Sequence, residues 1–285
     1  MKTSTEIASI AKHIGEEAAV EMVAKAGFDA FDFSMFEMGR YNWTTKSMLK
    51  TNHPLQSNDY LAFARKIKKI ANDNGIICNQ SHAPFPIYCP EILNLQKRAI
   101  ECTAEAGGAI CIIHPDNNIS AEENAEIYME LLPFAKEHGV KIATENMFNW
   151  DIEKNCALPA ACSDAKSFLE HIKAVNDPFF VACLDIGHAE MKGLNTSATE
   201  MIHTLGAHLQ ALHIHDNDLA HDSHQIPFSM DIDFNAVVNA LKAVKYNGFL
   251  TLEADSYCGN ATKDNIFSKI QQMSAAAKKL SDMFD

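Results

Sequence analysis

Residues 121–146 read AEENAEIYMELLPFAKEHGVKIATEN, a segment of helical period that runs into a glycine and then into a short β-branched stretch. Ser120 precedes the segment and Glu123 follows three residues later, which is the capping-box signature of a helix N-terminus. Gly139 stands where this helix should end, because glycine adopts the left-handed conformation there at little cost. The segment therefore predicts one helix followed by one strand that ends near Glu145.

The same order of helix, turn and strand recurs along the whole chain. With a short strand near residues 2–9, the predicted strands number eight, and the remaining six lie in the segments 24–34, 72–82, 105–115, 179–188, 209–217 and 245–255. Strict alternation of strands and helices requires parallel strands joined by right-handed crossovers. Eight such units predict a single (β/α)8 TIM barrel domain over residues 1–285. An open doubly wound sheet is the alternative, but no glycine-rich GxGxxG loop follows any strand.

Composition and charge limit the compartment and the partners. The eight cysteines are scattered without a CxxC pair, and no apolar run is long enough for a membrane span or a signal peptide. We therefore expect a cytoplasmic protein with no membrane partner and with thiols that are mainly buried. A net charge of −13 and only three arginines make nucleic acid an unfavourable partner.

Acidic and histidine side chains stand at the ends of six predicted strands. In a barrel of this kind the carboxyl ends of the strands carry the active site. Residues two apart share one face of a strand, so the small Ala143 and Cys183 should face inward together with Glu145 and Asp185. We expect the following side chains to converge at the barrel mouth: His82, His114, Glu145, Asp185, His215 and Glu253.

Carboxylates that converge in a closed site repel one another unless a positive charge neutralises them, so they predict a bound divalent cation. Glu145, Asp185, His215 and Glu253 offer three carboxylates and one imidazole. This ligand set suits one ion of manganese, iron, cobalt or zinc. A structural zinc site is disfavoured because no thiolate belongs to the set.

The motifs ATEN, LDIGH, HIHDN and TLEAD, which carry these four residues, resemble the xylose-isomerase-like TIM-barrel superfamily. That superfamily contains sugar isomerases and epimerases, among them the ketose 3-epimerases, and the endonuclease IV branch. The resemblance implies that the four residues hold one metal, and that Glu145 and Glu253 are the acid–base pair that moves a sugar proton through an enediolate. It also implies that His188, three residues after Asp185, contacts substrate oxygens, and that copies of the chain could pair as a homo-oligomer.

The endonuclease IV branch supplies an alternative, a trinuclear zinc phosphodiesterase acting on abasic DNA. The resemblance to that branch implies five additional zinc ligands, all present here: His82, His114, His188, Asp222 and His224. The charge of the chain and the loop HQIPFSMDID, which lacks a Pro–Gly–x–Gly motif, favour the sugar enzyme. In that enzyme His82 and His114 would bind the sugar, and Asp222 and His224 remain possible extra ligands.

Several further residues near the strand ends have two interpretations. His221 stands where the ketose 3-epimerases carry an arginine six residues after the metal histidine, so it is a candidate for substrate binding and leaves open whether the sugar is phosphorylated. His213 is a candidate partner for the ring of His215. Asp216 and Asp218 fit an Asx turn better than a site role. Five aromatic residues are candidates for a sugar-binding wall: Phe36, Trp43, Phe85, Phe148 and Trp150.

Overall fold

A computed structural model describes residues 1–42, 44–87, 89 and 91–285. Eight parallel strands form a nearly closed barrel, which confirms the predicted (β/α)8 fold. Consecutive strands pair with one another, and the first strand also pairs with the eighth. The ring closes where Ile214, just after the seventh strand, bridges Leu252 in the eighth. The strands are β1 Lys2–Glu6, β2 Ala30–Ser34, β3 Ile77–His82, β4 Ile110–Ile112, β5 Lys141–Glu145, β6 Phe180–Asp185, β7 Leu209–His213 and β8 Phe249–Leu252.

Helices surround the barrel and connect its strands. They are α1 Ala8–Ile14, α2 Glu16–Ala26, α3 Tyr60–Asp73, α4 Ile92–Ala106, α5 Ala121–Glu137, α6 Ala165–Val175, α7 Ile186–Glu190, α8 Ala198–Leu205, α9 Phe234–Ala243, α10 Asp255–Cys258 and α11 Ile266–Asp282. Three short 3-10 turns occur at Phe36–Met38, Pro54–Gln56 and Gly206–His208. Two small antiparallel hairpins, Arg40–Asn42 with Ser47–Leu49 and Asn149–Asp151 with Cys156–Leu158, lie in the loops after β2 and β5.

Helix α5, Ala121–Glu137, has the ends that the sequence predicts. The Ser120 side chain accepts a hydrogen bond from the backbone of Glu123, and the Glu123 carboxylate accepts one from the backbone of Ser120. This reciprocal cap satisfies two N–H groups that a helix N-terminus otherwise leaves unpaired. Gly139 follows the helix with φ +67°, as the turn into β5 requires.

Side-chain alternation orients the strands as expected. Ala143 and Cys183 pack inside the barrel in one small apolar cluster, whereas Leu212 and Leu252 belong to the large core between the barrel and its helices. The inward face of β5 therefore carries Glu145, and the inward face of β6 carries Asp185. Bulky side chains on the outer face anchor the helices and leave the carboxylates to the barrel mouth.

Three strands end earlier than the sequence indicates. β4, β7 and β8 end at Ile112, His213 and Leu252, so that His114, His215 and Glu253 begin the loops above them. Of the eight cysteines, seven are buried and Cys156 is half-buried, and none forms a disulfide. No helix in the described part of the chain has the length and apolar character needed to cross a membrane.

Burial of Glu6 at the end of β1 generates a pH-dependent prediction. This side chain is fully buried and accepts hydrogen bonds from the backbone and the hydroxyl of Ser9. Burial raises the pKa of Glu6 from 4.5 to about 7, although Ser9 opposes the shift. The folded protein therefore binds a proton on Glu6 more tightly than the unfolded chain does, and this contribution to stability is lost as the pH rises from 4.5 through about 7.

Glu6→Gln should remove this dependence. The difference between the unfolding free energies of wild type and variant should change by about 3 kcal/mol over that interval, at about 1.4 kcal/mol for each unit of pKa. Urea unfolding of both proteins at a series of pH values measures the difference. Parallel stability curves would contradict the assignment of a shifted pKa to Glu6.

Candidate metal centre

A cavity of about 620 Å³ opens at the carboxyl ends of the strands. Its inner end contains carboxylates and imidazoles, among them Glu145, His188 and Glu253. Its outer walls contain aromatic rings and the amides of Asn117 and Asn149. The strand ends thus bring most of the polar residues that the sequence singles out into one place.

Three carboxylates meet at the base of this cavity. Ligand atoms of Glu145, Asp185 and Glu253 lie within 4.8 Å of one another and of a nitrogen of His213. Glu145 and Asp185 are almost completely buried, and Glu253 is 7% exposed. The sequence predicted His215 as the imidazole of this group, whereas His213 is the ring that lies among the three carboxylates.

His215 lies immediately above and forms part of a second group with His188, Asp222 and His224. Its Nε2 atom is 3.1 Å from Oδ1 of Asp185 and 3.3 Å from Oδ1 of Asp222. His215 therefore stands between the two groups and contacts one member of the predicted quartet directly. Its ring stacks on that of His224, with centroids 4.0 Å apart.

A third group lies on the other side of Glu145. Oε2 of Glu145 is 3.4 Å from Nε2 of His82 and 3.2 Å from Nε2 of His114. The two Nε2 atoms are 2.8 Å apart. Glu145 consequently belongs both to this group and to the carboxylate group.

Three of the imidazoles direct the same nitrogen into the site. Nδ1 of His82 lies 2.9 Å from the carbonyl of Ala83, Nδ1 of His188 lies 2.9 Å from that of Asn146, and Nδ1 of His224 lies 2.7 Å from that of Glu253. A carbonyl oxygen only accepts, so Nδ1 donates in each case and a neutral ring keeps its lone pair on Nε2. Metal-binding histidines are held in this way in most proteins.

Four buried polar atoms of these groups form no hydrogen bond of acceptable geometry among the described residues, although His215 Nε2 lies 3.1 Å from Asp185 Oδ1 and Glu145 Oε2 lies 3.2 Å from His114 Nε2. They are Glu145 Oε2, Asp185 Oδ2, His215 Nε2 and Asp222 Oδ1. Each unpaired buried group costs roughly 1–3 kcal/mol. All four can donate a lone pair, and they lie in neighbouring groups around one centre. This donor set fits a bound divalent cation, which would satisfy several of these atoms at once.

The electrostatic surroundings of Glu145 and Glu253 shift their pKa values in opposite directions. Burial alone would raise the pKa of Glu145, but the His213 and His114 rings beside it hold that pKa well below its usual range. Burial raises the pKa of Glu253 well above its usual range, and the neighbouring Glu145 carboxylate adds to the effect. These surroundings therefore favour the ionised form of Glu145 and the protonated form of Glu253.

Neighbouring charges also shift the pKa values of other side chains around the site. Although burial opposes each shift, His188 and His215 lower the pKa of Asp185 to about 2, and Asp185 with Asp222 raises the pKa of His188 to about 10. Burial and the adjacent His82 ring lower the pKa of His114 to about 4, which keeps that ring neutral. A cation that binds His188 would displace its proton, so binding should release protons.

The remaining predicted residues occupy different surroundings. His221 is exposed, pairs with Asp218 at 2.8 Å and lies outside the residues that line the cavity. Asp216 is fully buried and accepts hydrogen bonds from the backbone of Asn217, Met230 and Ile232, in keeping with a structural role.

The aromatic candidates divide in a similar way. Phe36, Phe85 and Phe148 line the cavity, and the Phe85 ring stacks on His114 with centroids 4.9 Å apart. Trp150 packs against Phe148 and His221 instead. Trp43 lies outside the described residues.

Asp32 lies next to the site but was not predicted from the sequence. It is fully buried in β2, and its Oδ2 atom is 3.2 Å from Nε2 of His213. Its position two residues before the end of a strand, with Ser34 on the same face, is the signal that could have revealed it.

This chain is similar to a known protein family and to individual proteins of two organisms. The family model described as xylose isomerase-like TIM barrel matches residues 20–279. The uncharacterized protein MJ1311 of Methanocaldococcus jannaschii is 26% identical over 190 residues, which cover 60% of this chain and 62% of that protein. The uncharacterized protein y4fM of Sinorhizobium fredii is 27% identical over 172 residues, which cover 56% of this chain and 52% of that protein. The chain thus spans less than two thirds of either relative.

Solved structures with the same fold include several epimerases. D-psicose 3-epimerase from Clostridium cellulolyticum H10, with D-tagatose, has a TM-score of 0.71 and 17% identity over 100% of both chains. The 3-keto-D-glucoside 4-epimerase YcjR from E. coli has a TM-score of 0.70 and 15% identity over 99% of both chains. A D-tagatose 3-epimerase-like protein has a TM-score of 0.71 and 19% identity over 99% of both chains.

Gly187, which precedes His188 in helix α7, generates a prediction about metal binding. A Cβ atom at this position would overlap the ring of His215. Gly187→Ala should therefore displace His215 and weaken divalent-ion binding by roughly 10- to 100-fold. Isothermal titration of the metal-free protein with Mn²⁺ measures the change.

Gly139→Ala is the matched control. It introduces strain at φ +67° but its Cβ meets nothing within 4 Å, so it should lower stability without changing metal affinity. Equal affinities for the wild type and Gly187→Ala would show that His215 does not contribute to the metal site.

Proposed function

Because the chain belongs to the xylose isomerase-like TIM barrel family, we propose that it is a divalent-metal-dependent isomerase or epimerase acting on an unphosphorylated sugar. The observation that carries the proposal is the meeting of Glu145, Asp185 and Glu253 within 4.8 Å at the base of a cavity of sugar-binding size. The epimerases that share this fold support the substrate class.

The residues present fit one divalent ion. Glu145, Asp185, His215 and Glu253 would hold it, since buried atoms of three of these residues lack hydrogen bonds and His215 Nε2 lies 3.1 Å from Oδ1 of Asp185. When bound, the ion would polarise a substrate carbonyl and acidify the neighbouring C–H. His188 stands beside this group at the cavity wall, where its Nε2 can hydrogen-bond a sugar oxygen.

Proton transfer falls to the two glutamates. Both line the cavity, and carboxylate oxygens of Glu145 and Glu253 lie within 4.8 Å of one another. The opposite shifts of their pKa values suit a base and an acid. One carboxylate takes the proton from the carbon next to the carbonyl, which gives an enediolate. The other carboxyl group returns a proton to the opposite face of that carbon, which gives the epimer of the sugar, or a proton is returned to the neighbouring carbon, which gives the isomer.

The electrostatics of the cavity favour a sugar without phosphate. Five carboxylates line it, from Asp116, Glu145, Asp222, Glu253 and Asp255, and no lysine or arginine is found among its described lining residues. A phosphate carries between one and two negative charges at neutral pH and binds where arginine, lysine or free N–H groups oppose it. Phe36, Phe85 and Phe148 instead provide apolar surfaces for the C–H faces of a neutral sugar.

A second candidate function has a specific observation in its favour. The groups His82–His114–Glu145 and His188–His215–Asp222–His224 each have the ligand number of a further metal site. Three zinc ions, one in each of these two groups and one at the carboxylate group, would suit hydrolysis of a phosphodiester, as in the endonuclease IV branch. The carboxylate-rich cavity and the charge of −13 oppose DNA binding and keep this candidate second.

Metal content and one substitution test the proposal together. Protein purified without chelator should contain close to one divalent ion per chain, and its removal should abolish exchange of a ketose C–H proton with solvent. Glu145→Gln should lower turnover by roughly 10²-fold or more and leave the fold intact, because the amide cannot accept the proton. His221→Gln, at an exposed position outside the cavity, is the control and should retain full activity.

Close to three zinc ions per chain, with cleavage of abasic DNA, would replace the sugar proposal with the second candidate. Full ketose turnover by Glu145→Gln would exclude the paired-glutamate mechanism. Elemental analysis, proton-exchange measurements by NMR and a nuclease assay on the same preparation distinguish these outcomes.

A further inference from the structure

Beneath the candidate metal centre, the ring of His213 connects the barrel interior to the two glutamates. His213 is fully buried. Its Nδ1 atom is 2.9 Å from Oε1 of Glu145 and 3.3 Å from Oε2 of Glu253, and its Nε2 atom is 3.2 Å from Oδ2 of Asp32. The ring thus bridges a carboxylate deep in the barrel and two carboxylates at its mouth.

Asp32 is itself fixed by the barrel interior. Its Oδ2 atom accepts a hydrogen bond from Nε2 of Gln80 at 2.9 Å, and its Oδ1 atom accepts one from the hydroxyl of Ser34 at 3.1 Å. Gln80 is held in turn, because its Oε1 atom accepts from Asn79 at 3.1 Å and from Thr251 at 3.3 Å. Side chains from β2, β3 and β8 therefore determine where the Asp32 carboxylate lies.

A ring with both nitrogens directed at carboxylates has no lone pair left for a cation. His213 is accordingly a partner of the glutamates and not a metal ligand, although it lies among potential ligand atoms. By holding Oε1 of Glu145, it fixes the carboxylate and leaves Oε2 free of hydrogen bonds among the described residues, 3.2 Å from Nε2 of His114. The contact with Glu253 restrains the second glutamate in the same way.

We propose that Asp32 is a positioning residue that acts through His213, orienting Glu145 and Glu253 so that their free oxygens face the divalent ion and thereby setting the affinity of the centre for that ion. This inference rests on the proposed function only in taking the carboxylate group to bind a metal. Asp32 touches neither the metal ligands nor the cavity, so its effect on them passes through the His213 ring. Partners of this kind typically change metal affinity by roughly 10- to 100-fold.

Asp32→Asn tests the inference because it keeps the size of the side chain and removes the carboxylate. Titration of the metal-free protein with Mn²⁺ should show a roughly 10- to 100-fold weaker affinity, and kcat at saturating Mn²⁺ should remain close to that of the wild type. A loss of stability alone would not produce this separation. Affinity equal to that of the wild type would overturn the proposal.

Glu6→Gln is the matched control. Glu6 is also a fully buried carboxyl group, opposite Asp32 on the neighbouring strand, but its side-chain hydrogen bonds go to Ser9 and none goes to His213. Its replacement should leave Mn²⁺ affinity within about twofold of the wild type, a change of less than 0.5 kcal/mol by the usual conversion of tenfold to 1.4 kcal/mol. An equal loss of affinity in this control would show a general effect of buried charge and would overturn the specific role of Asp32.

A double-mutant cycle completes the test. His213→Gln should weaken Mn²⁺ binding at least as much as Asp32→Asn, and the double variant should bind as His213→Gln does, because Asp32 acts only through that ring. Additive losses would overturn the proposal. Should Asp32→Asn fail to fold, a normal affinity in His213→Gln would overturn it equally.

These results separate the inference from the proposed function. Weak Mn²⁺ binding by Asp32→Asn in a protein that turns over no sugar would support the positioning role and contradict the sugar isomerase. Sugar turnover with Mn²⁺ affinity unchanged by Asp32→Asn would support the enzyme and reject the role of Asp32.

Discussion

The burial of Glu145, Asp185 and Glu253 within 4.8 Å of one another is the constraint on which the site depends. Three ionised carboxylates at that spacing repel strongly where water is excluded. The imidazole rings around the carboxylates reduce this repulsion, and burial favours the neutral form of Glu253 by raising its pKa. A divalent ion would meet it more completely, and the unpaired atoms at the centre show where such an ion has ligands to gain.

Much of this arrangement could be predicted from the sequence because it depends on the period of a strand. Alternation placed Ala143 with Glu145 and Cys183 with Asp185 on the inner face, and the barrel then brought their ends together. Alternation does not show how far along the barrel axis each inward residue lies. It therefore could not decide whether His213 or His215, which share one face, meets the carboxylates. That choice depends on the stagger between strands: a register irregularity between Ala182 and Cys183 of β6 leaves Asp185 opposite His213 of β7.

The position of Asp32 next to the site could not be predicted from the sequence, for a related physical reason. Its role comes from partners on β3 and β7, which are separated from it by 48 and 181 residues in the chain. Local sequence describes Asp32 only as a polar residue in an aromatic strand. The neighbouring Phe31 and Phe33 are core residues, as their alternation also permitted. Hydrogen bonds across the barrel are a property of the closed ring and have no local signal.

Glu145 connects the two chemistries that the site could support. Its Oε1 atom is held by His213, and its Oε2 atom faces His82 and His114. A cation held by those two histidines would also bind Oε2 of Glu145. Proton transfer by paired glutamates needs no metal at the His82–His114 position, whereas phosphodiester hydrolysis by three metals requires that position to be filled. Occupancy of the His82–His114 position by a second ion therefore distinguishes the two candidate functions.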